Sequence, residues 1–165
     1  MNSDRLEVVN AKMERARRVL VTEQVSLVLV CISSDDIFCR CGKGIGPLYD
    51  LVTEPRRLEQ LKGGILADKV VGKAAALLAL YAELSAVYAD IISKPAYDLL
   101  LQNNVLVAAN ILVDHILNRT QTGLCPMELL TADVTVPDEG YAIIGRQLQQ
   151  WQQERISAAL VRKTE

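Results

Sequence analysis

The chain has 165 residues, of which half are hydrophobic and 23% are charged, and its formal net charge is −2 at pH 7. This length suffices for one domain with a buried core, and the small net charge offers no general attraction for nucleic acid or for an anionic membrane. We find no run of 18 apolar residues that could span a membrane, and the charged N-terminal segment lacks the features of a signal peptide. The sequence therefore predicts a cytoplasmic protein with neither a nucleic-acid partner nor a membrane partner.

The first part of the chain predicts a helix followed by a β-hairpin. Apolar residues recur at helical spacing over residues 4–21, and two short apolar runs, 25–32 and 37–41, flank a turn. Cys39 and Cys41 would share one face of the second strand. No histidine or second cysteine pair completes the spacing of a zinc site, so we predict no metal.

The middle of the chain alternates strands with helices. Because this alternation follows a hairpin, it predicts an α/β fold, a three-layer mixed sheet with helices on both faces. The predicted strands are 65–71, 84–92 and 105–111, and the predicted helices are 55–61, 72–81, 93–102 and 126–132.

A long helix is predicted from Pro137 to about Arg162. Its apolar stripe follows a complete α/β unit, so we expect the stripe to pack across a dimer and the protein to be a homo-oligomer. This gives two predicted regions, an α/β domain over 1–134 and a helical extension over 135–165. The stripe consists of Tyr141, Ile144, Leu148, Trp151 and Ile156.

A glycine-rich segment, residues 42–47, follows the hairpin. Pro47 suits the first turn of a helix, and Gly44 and Gly46 would let the backbone approach an anion at that helix start. The segment matches neither the dinucleotide-binding fingerprint nor the P-loop. It is either an anion-contacting loop or a plain connection between a strand and a helix.

Two other segments, 63–76 and 118–128, lead into helices and place a reactive side chain at each start. A cation such as Lys73 at a helix start is repelled by the positive end of the helix dipole, and a bound phosphate or carboxylate would offset this repulsion. Alternatively, the amino group of Lys73 reaches solvent. Cys125 would be an N-cap, where the thiolate is favoured, or a small packed residue. We take Lys73 and Cys125 as the candidate catalytic residues.

Polar residues near these helix starts complete the candidate site. Asp68 would cap a turn or orient Lys73, and Ser93 suits the N-cap of its helix. Arg119 suits bidentate recognition of an anion, although its loop could equally be held by its own hydrogen bonds. The candidate ligand-binding residues are Gly44, Gly46, Asp68, Gly72, Ser93, Lys94, Asn118, Arg119 and Thr120.

Four segments together resemble a bacterial domain of unknown function, DUF1893, over about residues 4–132. They are 42–48, 68–75, 93–96 and 117–128. The resemblance implies a cytidine-deaminase-like fold and no established reaction. Zinc deaminases carry His-x-Glu or Cys-x-Glu at one helix start and Pro-Cys-x-x-Cys at the next. This chain has neither motif at those places, so we expect no zinc-dependent deamination and no cofactor.

Three functions remain open from the sequence. The first is binding, or turnover without zinc, of a small anionic ligand such as a nucleotide, with Lys73 and Arg119 converging on it. The second is a structural or regulatory homo-oligomer with a vestigial pocket. The third is a redox or acyl-transfer enzyme that uses Cys125.

Overall fold

The computed structural model describes residues 3–34 and 36–161, which form a mixed α/β fold. The strands are β1 (Leu27–Val30), β2 (Ile37–Arg40), β3 (Ile65–Val71), β4 (Ala86–Ser93) and β5 (Leu106–Val113). The helices are α1 (Ser3–Thr22), α2 (Gly46–Thr53), α3 (Pro55–Leu61), α4 (Lys73–Tyr81), α5 (Lys94–Gln102), α6 (Pro126–Leu130) and α7 (Pro137–Val161). No helix among these residues is both long enough and apolar enough to cross a membrane.

The five strands form one open sheet in the order β2-β1-β3-β4-β5. β1 is antiparallel to both of its neighbours, whereas β3, β4 and β5 are parallel. The predicted mixed sheet is therefore confirmed. The hairpin strands are shorter than predicted, and because β2 ends at Arg40, Cys41 lies beyond the strand and does not share a strand face with Cys39.

Two hydrophobic clusters lie on opposite faces of the sheet. On one face, Val9, Met13, Ala16 and Leu20 of α1 pack on β1, β3 and β4, as the helical spacing predicted. On the other face, α4 is buried from Lys73 to Ala79. Its three consecutive alanines have small side chains, so α4 can be enclosed by the sheet, α5 and α7.

The long helix α7 packs on this same core, chiefly against α4 and also against α2 and α6. Ile144 is fully buried, while Tyr141 stacks between Tyr81 and Tyr49 with ring centroids 4.1 and 5.1 Å away. A Cβ on Gly140 would lie 2.9 Å from the Leu77 side chain, so glycine allows this close approach. We therefore correct the expected role of the stripe: most of it packs within the chain, and only Ile156 is largely exposed.

The two edges of the sheet differ. β2 is four residues long and includes Arg40, and the guanidinium of Arg57 lies 4.4 Å from the centre of the Phe38 ring. β5 is eight residues long, carries no charged residue, and leaves Ile111 and Leu112 53% and 55% exposed. Long, uncharged apolar edge strands favour pairing with another strand. The exposure of Ile111 and Leu112 also means that the predicted helices do not cover β5 completely.

Candidate functional site

The loops that carry the predicted site residues lie beyond one end of the strands of the sheet. Since β2 and β3 are both antiparallel to β1, β2 runs in the same direction as β3, β4 and β5. The segments that follow these four strands therefore leave the sheet at the same end. Open α/β sheets bind ligands at this end, outside the carboxyl ends of the strands.

At this end of the strands, a groove of about 540 Å³ lies between two loops and α7. We call it the α7 groove. Its volume falls within the range of small-molecule sites. The predicted residues Gly44, Gly46 and Arg119 line it, together with Lys43, Ile45, Leu148, Trp151, Glu154, Arg155 and Ala158.

Three cationic side chains line the α7 groove, and one carboxylate faces them. Among the residues that the structure describes, Lys43, Arg119 and Arg155 form no ion pair with a carboxylate. Arg155 is held by its Nε atom, which donates to the Trp151 carbonyl oxygen at 3.2 Å. Glu154 accepts a hydrogen bond from Gln150 at 3.0 Å instead of pairing with an arginine. The groove therefore has a surplus of positive charge.

The glycine-rich segment forms one wall of this groove. Gly44 has φ +72°, a conformation that glycine adopts readily, and its Cβ position has no heavy atom within 4 Å. α2 starts at Gly46 with Pro47 in its first turn, as predicted. Its N-cap, Ile45, makes no side-chain capping hydrogen bond. Because Pro47 has no N–H and Leu48 is 1% exposed, Gly46 is the first-turn residue whose N–H could meet an anion.

The second loop is held by its own hydrogen bonds. Asn118 Oδ1 accepts from the Thr122 N–H and from the Thr120 hydroxyl, each at 3.0 Å. A bridge between Leu117 and Leu124 closes the loop. Asn118 and Thr120 thus shape the loop, and of the three predicted residues only Arg119 lines the groove.

Lys73 lies elsewhere, and its surroundings correct the predicted cradle. The residue is 8% exposed, and its amino group donates to the Ala132 carbonyl oxygen just beyond α6. It lines neither the α7 groove nor the second cavity described below. Because the amino group is engaged inside the fold, Lys73 does not reach solvent freely, and it is not among the residues that line the groove with Arg119.

The anion expected at the start of α4 is supplied by the chain itself. Glu128, which is 6% exposed, accepts a hydrogen bond from the Lys73 backbone N–H at 3.2 Å. Its Oε1 atom lies 2.7 Å from where a Cβ on Gly72 would be, so a side chain there would displace the carboxylate. The pairing with α4 spans 55 residues of sequence and has no local signal.

Ser93 and Lys94 occupy a separate place at the start of α5. Ser93 is the N-cap, as predicted, and its hydroxyl accepts from the Ala96 N–H at 3.4 Å. Lys94 lines a second, smaller cavity of about 360 Å³ together with Pro95, Asp98, Asp114 and His115. This cavity carries two carboxylates, so its charge does not favour an anion as the α7 groove does.

Asp68 lies within β3, where it bonds to its own backbone, and it makes no hydrogen bond to Lys73. Its carboxylate accepts from the Val70 N–H at 3.1 Å. Burial raises the pKa of Asp68 to about 7, an effect that backbone hydrogen bonds from Val70 and Lys69 oppose and the negative charge of Asp90 reinforces. The carboxyl group of Asp68, within the sheet, therefore changes its charge near pH 7.

Cys125 is the N-cap of α6, as predicted, but its side chain makes no capping hydrogen bond and packs partly against the core. The only histidine, His115, lines the second cavity, which does not include Cys125. In the described parts of the chain, no three His, Cys, Asp or Glu side chains are grouped so that they could hold a metal ion.

Comparison with known proteins identifies the family. The sequence profile of a domain of unknown function (DUF1893) matches residues 15–148. The chain belongs to the DUF1893 family. The crystal structure of a DUF1893 family protein (TM1506) from Thermotoga maritima is similar, with a TM-score of 0.74 and 26% sequence identity over 83% of this chain and 90% of that one. The comparison with curated proteins gives no match.

The DUF1893 match divides the α7 groove. The matched residues include Lys43, Gly44, Gly46, Arg119 and Leu148, whereas the part of α7 that follows Leu148 lies beyond them. The resemblance to the cytidine-deaminase-like fold stays a prediction, because these matches identify the family without naming that fold.

Proposed function

We propose that this DUF1893 protein binds a small anionic molecule, such as a nucleotide, in the α7 groove. The observation that carries the proposal is the surplus of cations: Lys43, Arg119 and Arg155 line one groove, without carboxylate partners among the described residues. A phosphate would complement their charge, and arginine can bind it with two parallel hydrogen bonds.

The neighbouring backbone supports the same ligand class. The Gly46 N–H at the start of α2 and the open space beside Gly44 would let a phosphate approach the main chain. The cytoplasmic location predicted above is compatible with phosphorylated metabolites. A catalytic role for Lys73 or Cys125 has no support from the groove, since neither residue lines it.

We expect the Arg119→Ala variant to bind nucleotides at least about 10-fold more weakly than the parent chain, because a charge-assisted pair with phosphate is lost. Isothermal titration calorimetry with the four nucleoside monophosphates measures this. Arg56→Ala, which removes an exposed arginine of α3 outside the groove, is the matched control and should bind normally. Failure of all four compounds to bind the parent chain, or equal binding to the Arg119→Ala variant, would contradict the proposal.

We further propose that two copies of the chain pair through β5. A two-fold axis through Asn110, perpendicular to the sheet, would pair β5 with itself in antiparallel orientation. Ile111 would then lie opposite Ala109 of the second copy, and Leu112 opposite Ala108, so each large exposed side chain meets a small one. The absence of charge on β5 means that no like charges would oppose each other.

We expect Ile111→Lys to convert the protein from a dimer to a monomer of 18.2 kDa, because a charge at this edge prevents strand pairing. Light scattering coupled to size-exclusion chromatography measures the mass. Ile156→Lys is the matched control, since Ile156 is 54% exposed, against 53% for Ile111, but lies on α7. Dissociation by Ile156→Lys alone would assign the interface to α7, and a monomeric parent chain would refute dimerisation.

A further inference from the structure

The part of α7 beyond the DUF1893 match supplies almost half of the groove lining. The match ends at Leu148, and four lining residues follow it: Trp151, Glu154, Arg155 and Ala158. Leu148, Trp151, Arg155 and Ala158 are separated by three, four and three residues, so they lie on one face of the helix. At 1.5 Å per residue, this face extends about 15 Å along the groove.

Trp151 is the aromatic surface of this groove. It is partly buried and packs against the main core, which limits its motion. Ile45 on the loop side and Ala158 further along α7 add apolar contacts. An indole face with apolar surroundings is suited to stacking against a planar ring, and such stacking tolerates different bases.

Arg155 is placed to act together with Trp151. Its Nε atom bonds to the Trp151 carbonyl oxygen, which fixes the start of the guanidinium group. The terminal nitrogens make no ion pair among the described residues. They are therefore free to contact a phosphate or a polar ring edge beside the indole.

We infer that α7 beyond Leu148 forms a ring-binding subsite, so that the ligand of this protein is an aromatic ring joined to a phosphate, as in a nucleoside monophosphate, and not a bare phosphate or a sugar phosphate. The inference rests on the proposed anion site and adds its specificity-determining residue, Trp151. Within the family match, Lys43 and Arg119 would hold the phosphate, and Trp151 would select the ring.

The test compares two ligands, one with an aromatic base and one without it. Ribose 5-phosphate carries the sugar and phosphate of a nucleoside monophosphate without its base. Trp151 is the only tryptophan, so a change in tryptophan emission on titration reports on this groove directly. Calorimetry gives the affinities for the variants that lack the tryptophan.

We expect the parent chain to bind the tightest nucleoside monophosphate about 10-fold or more tightly than ribose 5-phosphate. Trp151→Leu should bring this ratio close to one without changing the affinity for ribose 5-phosphate, and Trp151→Phe should keep most of the preference. Arg119→Ala should weaken both ligands equally. Nucleotide binding with a ratio that Trp151→Leu leaves unchanged would overturn the ring subsite alone, whereas no binding of either ligand would overturn the anion site as well.

Discussion

Replacing Glu128 by alanine is expected to lower the free energy of unfolding by about 2–3 kcal/mol, the usual effect of removing a charged partner from a buried hydrogen bond. The carboxylate accepts the backbone N–H of Lys73 at the first turn of α4, and both residues are buried. Its removal leaves that N–H without a partner and opens a space beside Gly72. Urea unfolding followed by circular dichroism measures the change.

Two comparisons separate this role from simple loss of packing. Formate should restore part of the stability of the Glu128→Ala variant, because it can place a carboxylate at the same helix start. Glu128→Gln keeps the shape and one acceptor oxygen, so it should lose less stability and gain nothing from formate. Glu7→Ala, an exposed glutamate of α1, should change stability by less than about 0.5 kcal/mol. An unchanged stability of Glu128→Ala would show that α4 does not need this anion.

The second large effect is a loss of stability between about pH 4 and 7 that depends on Asp68. Burial raises the pKa of its carboxyl from 3.8 to about 7 in the folded chain. The folded state therefore holds a proton that the unfolded state has released between about pH 4 and 7, so stability falls as pH rises through this window. We expect the free energy of unfolding to be about 2–4 kcal/mol lower at pH 8 than at pH 5 from this group.

Asp68→Asn is the variant that isolates this contribution. An asparagine keeps an oxygen for the Val70 N–H but does not ionise. The variant should therefore match the parent chain near pH 5 and exceed it in stability at pH 8. Urea titrations at pH 5, 6, 7 and 8 test this. If the difference in the free energy of unfolding between the parent chain and the variant is the same at every pH, the raised pKa of Asp68 is contradicted.

Local sequence patterns predicted the elements because their causes are local. The spacing of Val9, Met13, Ala16 and Leu20 identified the buried face of α1, and Ser93 identified the start of α5. The alternation of strands and helices then limited the fold to a mixed sheet, and the resemblance to DUF1893 is borne out by the family match.

The assembly of the site depended on contacts that no local pattern carries. Lys73 and Arg119 both follow sheet strands, yet α6 returns to α4 and engages Lys73 through Glu128 and the Ala132 carbonyl, while α7 lies beside Arg119. The stripe on α7 correctly indicated a packing face, but the stripe alone cannot say whether the opposite surface belongs to the same chain. The structure supplies the answer, since Gly140 of α7 allows close contact with Leu77 of the same chain.

The sequence by itself determined the class of fold, the starts of several helices and the presence of charged loops after the strands, since periodicity, capping and backbone preferences act over a few residues. Only the tertiary structure decided which charge meets which partner: it gave Lys73 an internal carbonyl, gave α4 the carboxylate of Glu128, and left Lys43, Arg119 and Arg155 around one groove. The physical reason is that electrostatic and packing energies depend on distances in space, and chain segments far apart in sequence set those distances.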